Sequence, residues 1–393
     1  MLNLTSHSSI AIAGGGLLGR LLAWQLLGSG HNVSVYDAGS LRDSPSAGHT
    51  AAGMISPISE AIDTESLMYD LGMASLAQWP QWLAHLSEQL SEQSTGQSID
   101  NVDVPYSQKG SLIVAHNRDQ SLLQQYIHDM QRQVPEAAWG KRLDKQGVLA
   151  IEPDVGEHFH QGLFLPEEAH IDNRKLLSVL LQRIQQLGGE CVEHTAVDVE
   201  PNALVLISEK RRVAFDLVID CRGVGAQTQW QGVRGVRGEI LRVQTDEVQL
   251  QRPVRLLHPR YQLYVVPKAN QEFVIGATQI ESEDRSPVSV QSALELSSAL
   301  YTINPAFAEA RIIEMTSNLR PALNDNRPQI QYQDGLICVN GLYRHGYLLA
   351  PIVVQHALAL IDSSTTVVRD FADVLYKPVQ SSYIKKLQDN PAC

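Results

Sequence analysis

The chain has 393 residues, of which 44% are hydrophobic and 19% charged, a balance that excludes a disordered or fibrous protein and leaves room for two domains with sizeable cores. Its formal charge of −12 argues against nucleic acid as the main partner, because phosphate recognition needs a basic face. Any carboxylate-bearing ligand has to be held by arginines gathered locally against that field.

Residues 1–9 carry no Lys or Arg, and the apolar run after them is broken by a glycine triplet and Arg20, so neither a signal peptide nor a membrane anchor is expected. Ile10–Ala13 reads as a short strand, Gly14-x-Gly16-x-x-Gly19 follows directly, and Leu17–Leu27 is a helix apolar on nearly every face. Gly28–Gly30 stops that helix, and "NVSVYD" supplies a second strand ending at Asp37. Gly14 permits a tight turn, Gly16 lets the backbone approach a pyrophosphate, and Gly19 lets helix and strand pack closely. Free N–H groups at the helix start, Leu18 among them, offer the pyrophosphate partial positive charge. Asp37 stands where a carboxylate can accept the ribose hydroxyls. Strand, glycines, helix, strand and acid in this order predict a dinucleotide site, without choosing between FAD and NAD. Trp24 is expected in the core.

The stretch "AGHTAAGMISP" (47–57) puts Thr50, Ala51, Ala52, Gly53 and Met54 just beyond the second strand. Such small residues suit a backbone lying flat against a flavin ring, or an ordinary surface loop. Helical periodicity over 66–90 is interrupted at Pro80, "SEQSTGQS" reads as a polar loop, 110–116 as a strand and 117–133 as a helix. Residues 170–190 read as a helix capped by Asp172 and ended by Gly188–Gly189. "FDLVIDCRGVGA" (215–226) is a buried strand running into a glycine turn at Gly223, which suggests a return to the nucleotide sheet. Over 236–280 the period changes to two: "GEILRV", "QLYVVPK" and "EFVIGAT" are strands, the last two forming a hairpin. This implies an antiparallel sheet inserted into a doubly wound α/β domain. "LICVNG" is a further strand, "GLYRHGYLLAP" opens an apolar helix, and the last dozen residues read as a tail. Cys191, Cys221, Cys338 and Cys393 show no paired spacing, so reduced thiols in a cytoplasmic protein are expected. His158, His160 and His170 have no legible carboxylate support, and no metal is expected.

In order, these motifs resemble the glycine oxidase/D-amino-acid oxidase superfamily of FAD-dependent oxidoreductases over most of the chain. "IAIAGGGLLGR", "VSVYD", "TAAGMISP", "GLFLPEEAHIDNRKLL", "VIDCRGVGA", "VRGVRGEIL", "LYVVPK", "FVIGAT", "LRPALND" and "GLYRHGYLLAP" carry the likeness. The resemblance implies a Rossmann-type FAD-binding domain (1–85, 155–230 and 320–393) with an antiparallel-sheet substrate domain (86–154 and 231–319). It implies non-covalent FAD, since Thr50 stands where tethered relatives carry a histidine (His49 is one residue off) and no cysteine lies near "LRP". Backbone N–H groups of Gly346, Tyr347 and Leu348 would face the flavin pyrimidine edge. Arg320 matches the arginine that holds a substrate carboxylate, Tyr264 a tyrosine touching the same group, and Arg344 an arginine of the pocket wall. Leu342 departs from the family's usual His and His345 from its usual Asn, while Gln279 falls where the pocket is lined. His345 would touch substrate or product, or support the site from behind.

The implied reaction is oxidation of a C–N bond in a small amino acid or related amine by hydride transfer to flavin N5, with no acid–base residue required. Two other readings stay open: a flavoenzyme of this fold modifying a protein side chain or larger biosynthetic intermediate, and a non-catalytic dinucleotide-binding partner protein. The oligomeric state is left open.

Overall fold

A computed structural model describes residues 4, 7–91, 103–362 and 365–378, organised around two large sheets. The stretch "SEQSTGQS" beyond Ser91 and the expected tail lie outside the described residues. Among the described residues, no helix is long and apolar enough to cross a membrane.

The first sheet is seven-stranded, in the order Tyr376–Pro378, Gln329–Gln333, Leu336–Asn340, Leu217–Asp220, β1 (Ser9–Ala13), β2 (Asn32–Tyr36) and Glu190–Val192. From Leu336–Asn340 to Glu190–Val192 all neighbours are parallel. Alternation along β1 sends Ile10 and Ile12 into one core and Ala11 and Ala13 into another. On the isoleucine side lie α1 (Leu17–Gly28), the helix Asn173–Gln186 and the final long helix Gly346–Ile361. Flanked by both helices and the sheet, α1 buries Leu21, Leu22, Trp24 and Leu26, which is why its sequence shows no polar face. An antiparallel meander, Val197–Glu200, Ala203–Leu206 and Arg211–Ala214, covers the alanine side.

Two local expectations shift. The break expected at Pro80 falls before it, between the helices Ser66–Leu76 and Trp79–Ser91. Pro80 is the second residue of the new helix, where a missing N–H leaves nothing unpaired. The helix expected from residue 170 starts at Asn173, because Ala169–Ile171 pairs as a strand with Met54–Ile55 and Tyr106–Ser107. Asp172 does cap it, Oδ1 accepting from Lys175 N at 2.9 Å.

The second sheet is eight-stranded: Arg311–Ala322, Arg234–Gln244, Glu272–Gly276, Tyr261–Pro267, Val254–His258, Ser111–Ala115, Gln161–Leu165 and Lys141–Asp144. It is antiparallel except where Ser111–Ala115 runs parallel to Val254–His258. Gln161–Leu165 pairs with both Ser111–Ala115 and Lys141–Asp144, so this layer reaches past the boundary expected at residue 155. The helix Val290–Ile303 covers the face formed by Leu241, Val243, Leu263, Val265 and Ile275. The alternate residues Ile240, Val266 and Val274, with Tyr264, point the other way and meet Ala52 and Met54 of the loop after β2. Period two in these strands therefore aims Tyr264 at the nucleotide domain.

Candidate active site

A cavity of about 1130 Å³ runs from the glycine turn to the second sheet. Gly14, Gly16, Leu18, Asp37, Gly223 and the run Thr50–Met54 line it; so do Gly346, Tyr347, Leu348, Tyr264, Gln279, Arg320, Arg344 and His345. Of the site residues expected from the sequence, Gly19 alone does not border it.

At the turn, Gly14 has φ +98° and its N–H donates to Tyr36 O at 2.7 Å. A Cβ there would stand 2.6 Å from Cys221 O, and one on Gly19 only 1.9 Å from Gly14 O. Gly19 thus serves helix–strand packing, while the turn itself stays bare for a ligand. Arg20 fixes that turn: its buried guanidinium donates to Gly15 O at 2.6 Å, to Leu177 O at 2.6 Å and to Leu41 O. Desolvation lowers its pKa, and the carbonyls compensate for the burial. Asp37 accepts from Gly15 N at 2.7 Å and Gly39 N at 2.8 Å, which pins its carboxylate at the cavity edge.

The loop carrying Thr50–Met54 is braced from behind. Tyr347 Oη donates to Gly48 O at 2.9 Å, and Asn173 Nδ2 to His49 O at 2.9 Å. Asn318 Nδ2 donates to Thr50 Oγ1 at 2.9 Å and Pro45 O at 3.0 Å. Lys268 Nζ donates to Ala52 O at 2.6 Å and Ile171 O at 2.7 Å, and burial pushes its pKa down to about 7. Tyr347 spends its hydroxyl on this bracing, so its main chain is what it can offer a cofactor.

The final helix begins at Gly346 with His345 as N-cap, and Leu349 N makes the first return bond, to His345 O at 2.8 Å. The N–H groups of Gly346, Tyr347 and Leu348 therefore have no partner within the helix and face the cavity end. Pro351 removes the N–H that Tyr347 O would normally accept; Trp79 Nε1 supplies that bond instead, at 2.9 Å. Ile352 N donates to Ser75 Oγ at 3.1 Å.

At the far end, Arg320 donates to Thr278 O at 3.0 Å and Arg237 O at 3.3 Å. Among the described residues no carboxylate pairs with it, and desolvation lowers its pKa while Tyr264 and Tyr343 act to raise it. Gly238 lies directly beneath: a Cβ there would be 2.4 Å from Arg320 Cζ. Burial raises the Tyr264 phenol, with Arg320 opposing.

Arg344 differs. Its Nε lies 2.7 Å from Glu60 Oε2, Nη2 donates to Asp63 Oδ2 at 2.8 Å, and Nη1 to Gln279 Oε1 at 3.4 Å. The resemblance matches it to an arginine of the pocket wall, and it borders the cavity with its charge already paired. Glu60 is also 3.0 Å from Arg255 Nη2 and 3.1 Å from His345 Nδ1. Burial works against the Glu60 carboxylate, yet Arg344, His345 and Arg255 hold it well below the usual range. Both ring nitrogens of His345 are sealed from solvent, although the residue borders the cavity.

Sequence reasoning missed Glu60, Asp63, Gly238, Lys268 and Tyr343. The acids of "SEAID", three apart on one short helix, were a faint signal. Tyr343 lines the cavity at φ +51°, tied by its N–H to Pro321 O at 2.9 Å, next to Arg320.

The family model described as "FAD dependent oxidoreductase" (DAO) matches residues 9–359. The putative thiamine biosynthesis oxidoreductase ThiO of Rhizobium etli is 35% identical over 342 residues, covering 87% of this chain and 93% of that one. The solved glycine oxidase of Bacillus cereus superposes with a TM-score of 0.75 at 25% identity, over 92% of this chain and 96% of that one. That of Geobacillus kaustophilus gives 0.78 at 23% identity, over 94% and 98%.

Proposed function

Because this chain belongs to the DAO family of FAD-dependent oxidoreductases, we propose that it oxidises the C–N bond of a small amino acid of the glycine type. The names of its relatives support the reaction class. Arg320 carries the substrate assignment. Its half-buried guanidinium borders the cavity with two carbonyls as partners and, among the described residues, no carboxylate, so a ligand can bring the counter-charge. A carboxylate taken by both arms of the fork is that ligand, and lysine could not reproduce the geometry. The Tyr264 hydroxyl adds a donor beside it.

The residues fit FAD. The bare turn at Gly14–Gly16 accepts a pyrophosphate, and the fixed Asp37 carboxylate keeps lone pairs for the ribose hydroxyls. Thr50–Met54 would back the ring, held without a covalent tether, and the free N–H groups of Gly346–Leu348 would meet its pyrimidine edge. When bound, FAD supplies the two-electron acceptor.

Arg320 and Tyr264 hold the carboxylate so that the α-carbon stands within hydride reach, about 3–3.5 Å. The amine reacts in its neutral form, so the chain need furnish no base. The start of the Gly346 helix stabilises negative charge developing at its end of the cavity. The product imine hydrolyses in water to an oxo acid and ammonia.

Anaerobic mixing of the yellow holoprotein with a panel of amino acids and amines tests this. Glycine or a close homologue should bleach the flavin absorbance. Protein that is colourless and takes up no FAD would overturn the cofactor assignment, and a flavin that no small amino acid bleaches would overturn the substrate assignment.

A further inference from the structure

Arg344 borders the same cavity as Arg320, and the two guanidiniums repel each other across it. Left open, Arg344 would be a second anion site. Each of its three nitrogens already faces a partner: Glu60 at 2.7 Å on Nε, Asp63 at 2.8 Å on Nη2 and Gln279 at 3.4 Å on Nη1. The two acids are not equivalent. Glu60 also answers Arg255 and His345, whereas among the described residues Asp63 has Arg344 as its ion-pair partner. Asp63 is moreover the last residue of the helix Pro57–Asp63, where a carboxylate faces the negative end of the helix dipole and does the helix no service. Its position makes sense through Arg344, whose side chain keeps 24% of its surface open beside it.

Resting on the reading of this cavity as an amino-acid site, we propose that Asp63, with Glu60 behind it, is a specificity-determining cap on Arg344 that restricts the enzyme to substrates with a single carboxylate. A substrate carrying a second carboxylate can reach Arg344 only by displacing Asp63, and the displaced acid then stands beside it as a like charge. A mono-carboxylate needs Arg320 alone.

The test compares kcat/KM for glycine and for iminodiacetate, which offers the same C–N bond with one more carboxylate. In Asp63→Ala the iminodiacetate-to-glycine ratio should rise by roughly tenfold or more, the scale of one charged hydrogen bond. The gain should vanish in the D63A/R344M double variant. A ratio that does not move, with the wild type turning over glycine, overturns the cap; a wild type inert toward glycine overturns the underlying function instead. Should D63A fail to fold, wild-type holoenzyme titrated with acetate and succinate, followed by flavin absorbance, tests the cap without a variant. Acetate should bind roughly tenfold tighter, and succinate binding as well or better overturns the proposal.

Discussion

Arg320 owes its aim to the atom missing beneath it. Gly238 is a floor on which the guanidinium lies flat, since a methyl there would stand 2.4 Å from Arg320 Cζ. The clash would be with a movable side-chain tip, so Gly238→Ala should fold and push the fork out of register. Arg320→Ala should lower kcat/KM for carboxylate substrates by about 1.5–3 kcal/mol, with Arg320→Lys recovering little of it. Gly238→Ala should fall between wild type and Arg320→Ala. Steady-state kinetics on the three variants checks the order, and a Gly238→Ala enzyme with wild-type kinetics would mean that the fork needs no such floor. That Arg320 and Tyr264 border the cavity was legible because each sits in a short, ordered motif. Gly238 and Asp63 were not, because their roles exist only where distant segments meet.

The final helix depends on a distant segment in the same way. The apolar helix opened by "GLYRHGYLLAP" was legible in the sequence, but Pro351 takes away the N–H that Tyr347 O would accept, and no local pattern shows what replaces it. The repair comes from another helix, through Trp79 to Tyr347 O. Trp79→Phe keeps an aromatic ring and loses the donor, leaving that carbonyl buried and unsatisfied at a cost of about 1–3 kcal/mol. Thermal unfolding of the holoprotein should show the lower Tm, and FAD titration of the apoprotein a weaker affinity, because Tyr347 lies in the first turn facing the cavity. The loop Thr50–Met54 shows the opposite balance. Its small residues were visible in the sequence, while Lys268 and Asn318, which brace it from the second sheet, were not.

Across the whole molecule, Glu60 joins the helix Pro57–Asp63, the strand Val254–His258 and the segment entering the last helix. Glu60→Gln should destabilise the protein by about 3–5 kcal/mol near neutral pH, since Arg255 and Arg344 lose a shared buried partner. The sign with pH follows from the depressed carboxylate. Its stabilisation is fully present above the unfolded value near 4.5 and is lost as pH falls through the lower folded value. The Tm gap between wild type and Glu60→Gln should therefore narrow on acidification below about pH 4.5, and a gap that stays constant would mean Glu60 does not carry the charge. The order of motifs made both sheets legible, but the parallel ladder between Ser111–Ala115 and Val254–His258 was not, because hydrophobic alternation carries no record of a partner so far along the chain.

That ladder bears on how the protein is made. Ser111–Ala115 leaves the ribosome well before Val254–His258, and Leu217–Asp220, the neighbour of β1, waits in turn for Leu336–Asn340. At roughly 5–20 residues per second, the nascent chain carries open strand edges for many seconds before closure is possible. Assembly of the nucleotide cradle therefore comes late: the flavin can be enclosed only after residues 346–348 have been made, and until then the earlier strands carry edges that need shielding.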